Sequence, residues 1–310
     1  MWRYVRKRLI LLIPVLLGAI LIIYFIMSLC PGDPGSIILG AGADEEAIEE
    51  INRKVGYYDP FFVKYFRYIG NLLKGDLGNS YMTNSPVLDE LLARSPVSLR
   101  TTFLALSTAV FIGLPLGVLT AVKQNSILCD TIPTAVCMVF AAMPIFWLGM
   151  LLMYVFALEL GWLPAFGVKN WQGLILPTFA LGLPHAARQM RFTRSSMLEA
   201  IREDYVRTAR AKGCEERSVI WKHALKNALL PVITVVGNSF GAMFGGTVII
   251  EKLFAIPGIG SYMVNGITDR DVPIVTGCVI TIALVYSLVT MVVDCLYAFI
   301  DPRTKARFIK

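Results

Sequence analysis

The chain has 310 residues, 56% hydrophobic and only 16% charged, with a net charge of +7 and a mean hydropathy of +0.63. Soluble domains carry about a quarter charged residues, so a water-soluble globular fold is excluded, and with it the reading of the basic charge as a nucleic-acid surface. Several uncharged runs of about twenty residues are each long enough to cross a bilayer, and backbone facing lipid must satisfy its own hydrogen bonds. Together these predict an all-α polytopic membrane protein.

The N-terminus carries Arg3, Arg6, Lys7 and Arg8 ahead of an uncharged run, Leu9 to Leu29. That run is about twice the length of a signal-peptide core, so it reads as a first membrane helix. Residues 31–98 read as a long water-facing helical segment. In it, Pro31-Gly-Asp-Pro34 breaks the helix, Asp44 to Lys54 forms a short acidic-start helix, and Asp59-Pro60 starts one over Phe61 to Leu73. Ser85-Pro86 starts another, ending near Ser95-Pro96. Proline is tolerated in a first helical turn and resisted further in.

Five more apolar runs follow: Thr101–Val122, Thr131–Leu158, Trp171–Ala187, Ala228–Ile250 and Val272–Val293. The prediction is six spans, divided into 1–30 (cytoplasmic N-terminus and first span), 31–98 (extracytoplasmic loop) and 99–310 (a five-helix core with a cytoplasmic loop at 188–227). With both termini in the cytoplasm, the inner segments 1–8, 123–130, 188–227 and 294–310 hold 19 of the 29 basic residues. Most of the others lie along the long outer loop and its junction with the second span, where the positive-inside bias counts least. The six cysteines (Cys30, Cys129, Cys137, Cys214, Cys278 and Cys295) show no Cys-x-x-Cys spacing. They read as apolar fillers, with neither a metal site nor a disulfide frame.

The cytoplasmic segment 188–227 reads as a helix over Met197 to Lys212, a stop at Gly213, and a second helix begun by Glu215 and Glu216. Arg207, Arg210 and Lys212 near the first helix's end, and glycine just past it, are stop signals. Met197, Ile201, Tyr205 and Ala209 recur every four residues and predict an apolar face. Small Ala209 and Gly213 would permit close approach of another protein, with the cations at the rim.

The run Asp204-Tyr-Val-Arg-Thr-Ala-Arg-Ala-Lys-Gly213, continued by His223-Ala-Leu-Lys-Asn-Ala228, resembles the cytoplasmic EAA loop of ABC-importer permeases of the dipeptide/oligopeptide/nickel family. Arg207, Thr208, Ala209 and Gly213 stand where the generic loop has Glu, Ala, Ala and Gly. Pro31-Gly-Asp-Pro34, Gly161-Trp-Leu-Pro164, Gly245-Gly-Thr247 with Glu251, Phe254 with Pro257-Gly-Ile-Gly260, Arg270-Asp271 with Pro273, and Asp301-Pro-Arg303 extend the resemblance along most of the chain.

The resemblance implies a type I, MetI-like importer permease whose coupling helix (Asp204, Tyr205, Arg207, Thr208, Ala209, Arg210, Lys212, Gly213) docks on an ATPase. It further implies a second, paralogous permease, two ATP-binding subunits and an extracytoplasmic substrate-binding protein as partners. The chain has no Gly-x-x-x-x-Gly-Lys-Ser/Thr loop, so ATP and magnesium are expected on the partner subunits and no cofactor on this one. Peptides are the expected cargo, with nickel or other metal chelates and glutathione as alternatives. An ATP-independent secondary transporter is the reading from another class.

Gly237, Gly241 and Gly245 recur every four residues in the fifth span and place small residues on one helix face. Packing within the chain and packing against the second permease near the pathway both fit. Gly113 and Gly117 form a shorter version read as packing. Glu251, Asp294 and His185 are expected in structural roles, His185 as a hydrogen-bonding residue.

Overall fold

A computed structural model describes residues 2–29, 32–40, 42–168 and 170–300. Cys30, Pro31 and Asp301-Pro-Arg303, named above, lie outside them. Thirteen α-helices are found among the described residues. They are α1 (Trp2–Leu29), α2 (Pro34–Leu39), α3 (Glu45–Lys54), α4 (Phe61–Leu72), α5 (Val87–Val122), α6 (Ile132–Ala142), α7 (Ile145–Leu152), α8 (Ile175–Arg202), α9 (Asp204–Ala211), α10 (Glu216–Ser218), α11 (Leu225–Leu253), α12 (Ile259–Thr268) and α13 (Val272–Ile300). Two compact units result, one of residues 1–5, 99–256 and 288–310, the other of 6–98 and 257–287.

Four stretches are long and apolar enough to span a membrane: Arg8–Leu29, Val87–Val122, Glu216–Leu253 and Val272–Cys295. The expected third span, Thr131–Leu158, is not one straight helix. Its halves meet at 107° between Ala142 and Ile145. The residue before a proline is steered away from helical backbone, and Met143 (φ −73°, ψ 131°) ahead of Pro144 makes the corner. The expected fourth span, Trp171–Ala187, is a turn of 3-10 helix followed by the first half of α8, which runs on into the polar sequence up to Arg202.

In the unit of residues 6–98 and 257–287, Asp33 caps α2 by accepting from Ser36 N at 2.8 Å, with Pro34 in the first turn. Buried Asn52 of α3 donates to Asp33 at 2.7 Å and accepts from Gly35 N at 2.8 Å. Asp33 and Pro34 of the Pro31-Gly-Asp-Pro34 motif therefore build the start of α2. The Asn52 amide and the Ser36 N–H hold the Asp33 carboxyl below its ordinary range.

The expected helix end near Ser95-Pro96 is absent, and α5 runs unbroken for 36 residues. Interior proline costs about 3 kcal/mol. Val87 and Leu91, fully or almost fully buried, pack at Gly277 of α13, and each such side chain returns about 1.5–3 kcal/mol.

Asp271, fully buried, caps α13 through Ile274 N at 3.2 Å. Its other oxygen accepts from Ser80 Oγ at 2.7 Å and Tyr81 N at 2.6 Å, so one carboxylate ties the turn around residue 80 to the start of α13.

In the other unit α8 is central, packing on α6, α7 and α11. It also lies against α5 at backbone distance. A Cβ on Gly113 would meet the Ala186 carbonyl at 2.6 Å, and one on Gly117 the Met190 carbonyl at 2.7 Å. From the α8 side, a Cβ on Gly182 would meet the Ala105 carbonyl at 2.9 Å. The guanidinium of Arg194 on α8 makes a two-pronged ion pair with Asp130 at 2.9 and 3.0 Å. His185 is buried in α8, and its Nδ1 has no hydrogen-bond partner among the described residues. Its expected hydrogen-bonding role is therefore not seen at that atom.

The fifth-span glycines divide. A Cβ on Gly237 would come within 2.2 Å of Val293 in α13, whereas one on Gly245 meets nothing within 4 Å. Gly241 is half-buried.

Two outcomes are expected in thermal unfolding of the detergent-solubilised chain. Gly117→Ala lowers the midpoint, because overpacking costs about 1–3 kcal/mol, while Gly245→Ala leaves it unchanged. Asp271→Ala strands buried N–H groups and costs about 2 kcal/mol or more. Hydrogen exchange then accelerates at Tyr81 and at the first turn of α13.

Candidate functional site

The polar segment between α8 and α11 folds into a short helix, a tight reversal and a return. The helix expected over Met197 to Lys212 is broken at Glu203, whose extended backbone (φ −69°, ψ 150°) separates α8 from α9. The break resets the helical phase. Met197 stays buried on α8, but on α9 the buried residues are Val206 and Ala209, while Tyr205 is 38% exposed. Of the predicted face, Met197 and Ala209 are buried as expected, while Val206 takes the place expected of Tyr205.

Ala209 is not at the surface. With Val206 it packs in a cluster with Val118 and Ala121 of α5, Met197 and Ala200 of α8, and Ala224, Leu225 and Ala228 around the start of α11.

Gly213 (φ +77°) follows α9 in the left-handed region. Its N–H donates to the Arg210 carbonyl at 2.9 Å, and the Cys214 N–H to that of Ala209 at 3.2 Å. These paired bonds form a Schellman stop, satisfying carbonyls that a helix end leaves orphaned. A Cβ at Gly213 meets nothing within 4 Å, so the position calls for glycine by conformation rather than by space.

Arg210 is engaged inside the reversal, pairing with Glu216 through two bonds of 2.7 and 3.1 Å. That contact holds the Glu216 carboxyl below its ordinary range. Thr208 Oγ1 donates to the Asp204 carbonyl at 2.9 Å, and Arg207 lies 3.6 Å from the Asp204 carboxylate.

Asp204, Tyr205, Arg207, Thr208 and Lys212 make up the outward face of α9 and its end. The structure adds Trp221, 52% exposed in a π-helical turn (Val219–Ala224) that leads into α11. It borders an open hollow with Glu215, Arg217 and Lys222. Sequence reading passed over Trp221 because it lies outside the matched motif. An exposed tryptophan in a charged segment is the available signal, since aromatic and arginine side chains carry most binding energy at interfaces.

The arrangement displays exposed cations, the Cys214 thiol and the Trp221 ring. It is a rigid, cationic and aromatic projection joined by its apolar underside to three long helices.

Residues 113–306 match the family described as binding-protein-dependent transport system inner membrane component, and residues 1–102 match that family's N-terminal component. Among curated relatives, the dipeptide transport system permease protein DppB of Alkalihalophilus pseudofirmus is 40% identical, over 98% of this chain and all of that protein. The glutathione transport system permease protein GsiC of Salmonella paratyphi A is also 40% identical, over 97% of this chain and 98% of that one. Of solved structures, an inward-facing MetNI methionine ABC transporter chain aligns at TM-score 0.59 with 17% identity, covering 68% of this chain and 96% of its own. An amino acid ABC transporter with histidines aligns at TM-score 0.53, also 17% identical, covering 70% and 94%. At that identity the two structures speak to the fold alone.

The reversal makes a graded prediction. Gly213→Ala places a Cβ in left-handed backbone at a cost of about 1 kcal/mol, and Gly213→Asn, which tolerates that region, costs less. Thermal midpoints should fall in the order wild type, Asn, Ala.

Proposed function

The chain belongs to the family of binding-protein-dependent transport system inner membrane components, and from that membership we propose that it is the permease subunit of an ATP-driven peptide importer, with α9 docking on an ATPase subunit. The observation that carries the docking role is the burial of Val206 and Ala209 against α5, α8 and α11. A partner that pushes the outward face of α9 pushes the ends of three long helices at once.

Domains move as packed bodies because their interiors are dense. ATP binding that closes a pair of ATPase subunits would therefore carry α9 and the helix ends together, and the permease halves would rock between inward- and outward-open states. ATP and Mg²⁺ would sit on those partner subunits. A second permease, similar to this one, would complete the pathway, and an extracytoplasmic binding protein would deliver cargo. Gly245, with open space where a Cβ would stand, suits a contact with that second permease.

The chain would lie in the cytoplasmic membrane with both termini inside, which the distribution of lysine and arginine supports. Cargo is a short peptide in this reading. The dipeptide and glutathione relatives are equally similar, and both of those named cargoes are peptides.

Co-purification tests the docking role. Arg207 is exposed and its ion pair with Asp204 is long, at 3.6 Å, so Arg207→Glu should leave the fold intact, as lost surface pairs usually do. Arg207→Glu and Gly213→Trp should each reduce the ATPase subunit retained by the tagged chain about tenfold. Undiminished retention by both would contradict the assignment.

A further inference from the structure

An open cleft of about 670 Å³ lies between α8 and α11. Seven polar side chains line it: Arg188, Arg191, Ser195, Ser196 and Glu199 from α8, and Asn238 and Ser239 from α11. Two nearby arginines are engaged, Arg194 with Asp130 and Arg210 with Glu216. Arg188 and Arg191 are exposed, and neither has an ion-pair partner among the described residues.

The two arginines stand one helical turn apart. Glu199, exposed on the same wall, lies eight residues beyond Arg191, about 12 Å along the axis at 1.5 Å per residue. The cleft is thus positive at the end nearer the apolar half of α8 and negative at the other. Its α8 wall is held from behind, because Gly113 and Gly117 bring α5 to backbone contact on another side of the helix.

We infer that this cleft binds a zwitterionic peptide lengthwise, with Arg188 and Arg191 holding the carboxylate and Glu199 the ammonium group. This rests on the peptide-importer reading above. Arginine suits the carboxylate because its planar fork offers two parallel N–H donors. An extended chain spans at most about 3.5 Å per residue. Two or three residues therefore fit between the charged ends once the side chains reach inward. Asn238 and Ser239 face the peptide's backbone and supply uncharged hydrogen-bonding groups. The site selects for two free termini at a fixed separation and is indifferent to side chains, as a pathway for varied short peptides requires.

The test uses the complete importer, reconstituted in liposomes with its ATPase subunits and binding protein, and radiolabelled dialanine as the probe. The readout is peptide imported per ATP hydrolysed. Replacing both arginines (Arg188→Gln with Arg191→Gln) should lower that ratio about tenfold, as should Glu199→Gln. Replacing both arginines by lysine, which keeps the charge, should restore most of it. An unchanged ratio in the glutamine variants overturns the inference. So does a parallel fall of import and hydrolysis that lysine does not reverse, which marks a structural role. A defect that vanishes in liposomes free of anionic lipid also overturns it, because the arginines then serve headgroups. A wild-type importer that hydrolyses ATP but takes up no dialanine contradicts the peptide reading itself, and the inference falls with it.

Discussion

The burial of Val206 and Ala209 beneath the ends of α5, α8 and α11 is the constraint on which the rest depends. An eight-residue helix has no stability of its own in water, so α9 exists because its underside is packed. Two other devices fix its orientation: the extended Glu203, which frees it from the phase of α8, and the Schellman stop at Gly213. The consequence is mechanical. The outward face of α9 is the far side of a core shared with α5, α8 and α11.

That core needs a stiff support, which glycine provides by absence. Gly113 and Gly117 let α5 lie on the α8 backbone. Small-residue contacts substitute for the hydrophobic drive that lipid does not supply between helices. The Arg194–Asp130 pair adds a charged tie from α8 to the segment entering α6. One side of α8 is thereby fixed while its α11 side borders the polar cleft, so the helix that packs on α9 also forms a wall of that cleft.

Much of this was legible in the sequence, and the failures have physical causes. Apolar runs located the long helices, the four-residue spacing of glycines found the close contact at Gly113 and Gly117, and the Gly213 stop was read from local chemistry alone. The corner at Met143-Pro144 was missed because proline inside an apolar run is compatible with a tolerated kink as well as a break. The reverse error was made at Pro96, where burial of Val87 and Leu91 overrides the local penalty. Tyr205 was placed on the buried face of α9 because no glycine or proline announces the break at Glu203. Asp271 joins positions about 190 residues apart, and no local pattern encodes that contact. Arg188 and Arg191 read as ordinary charge in a basic segment, and only the structure shows that they share a cleft with Glu199, Asn238 and Ser239.

The central claim is that α9 and the helix ends above it move as one body. Double electron–electron resonance tests it directly in the full importer, with spin labels at Leu119→Cys on α5 and Ala211→Cys on α9, both exposed positions, in a chain whose native cysteines are replaced. The account predicts one narrow distance distribution, identical in the nucleotide-free and ATP-trapped states. A distribution that shifts or splits on ATP binding would contradict it, because α9 would then be moving over the helix ends instead of with them.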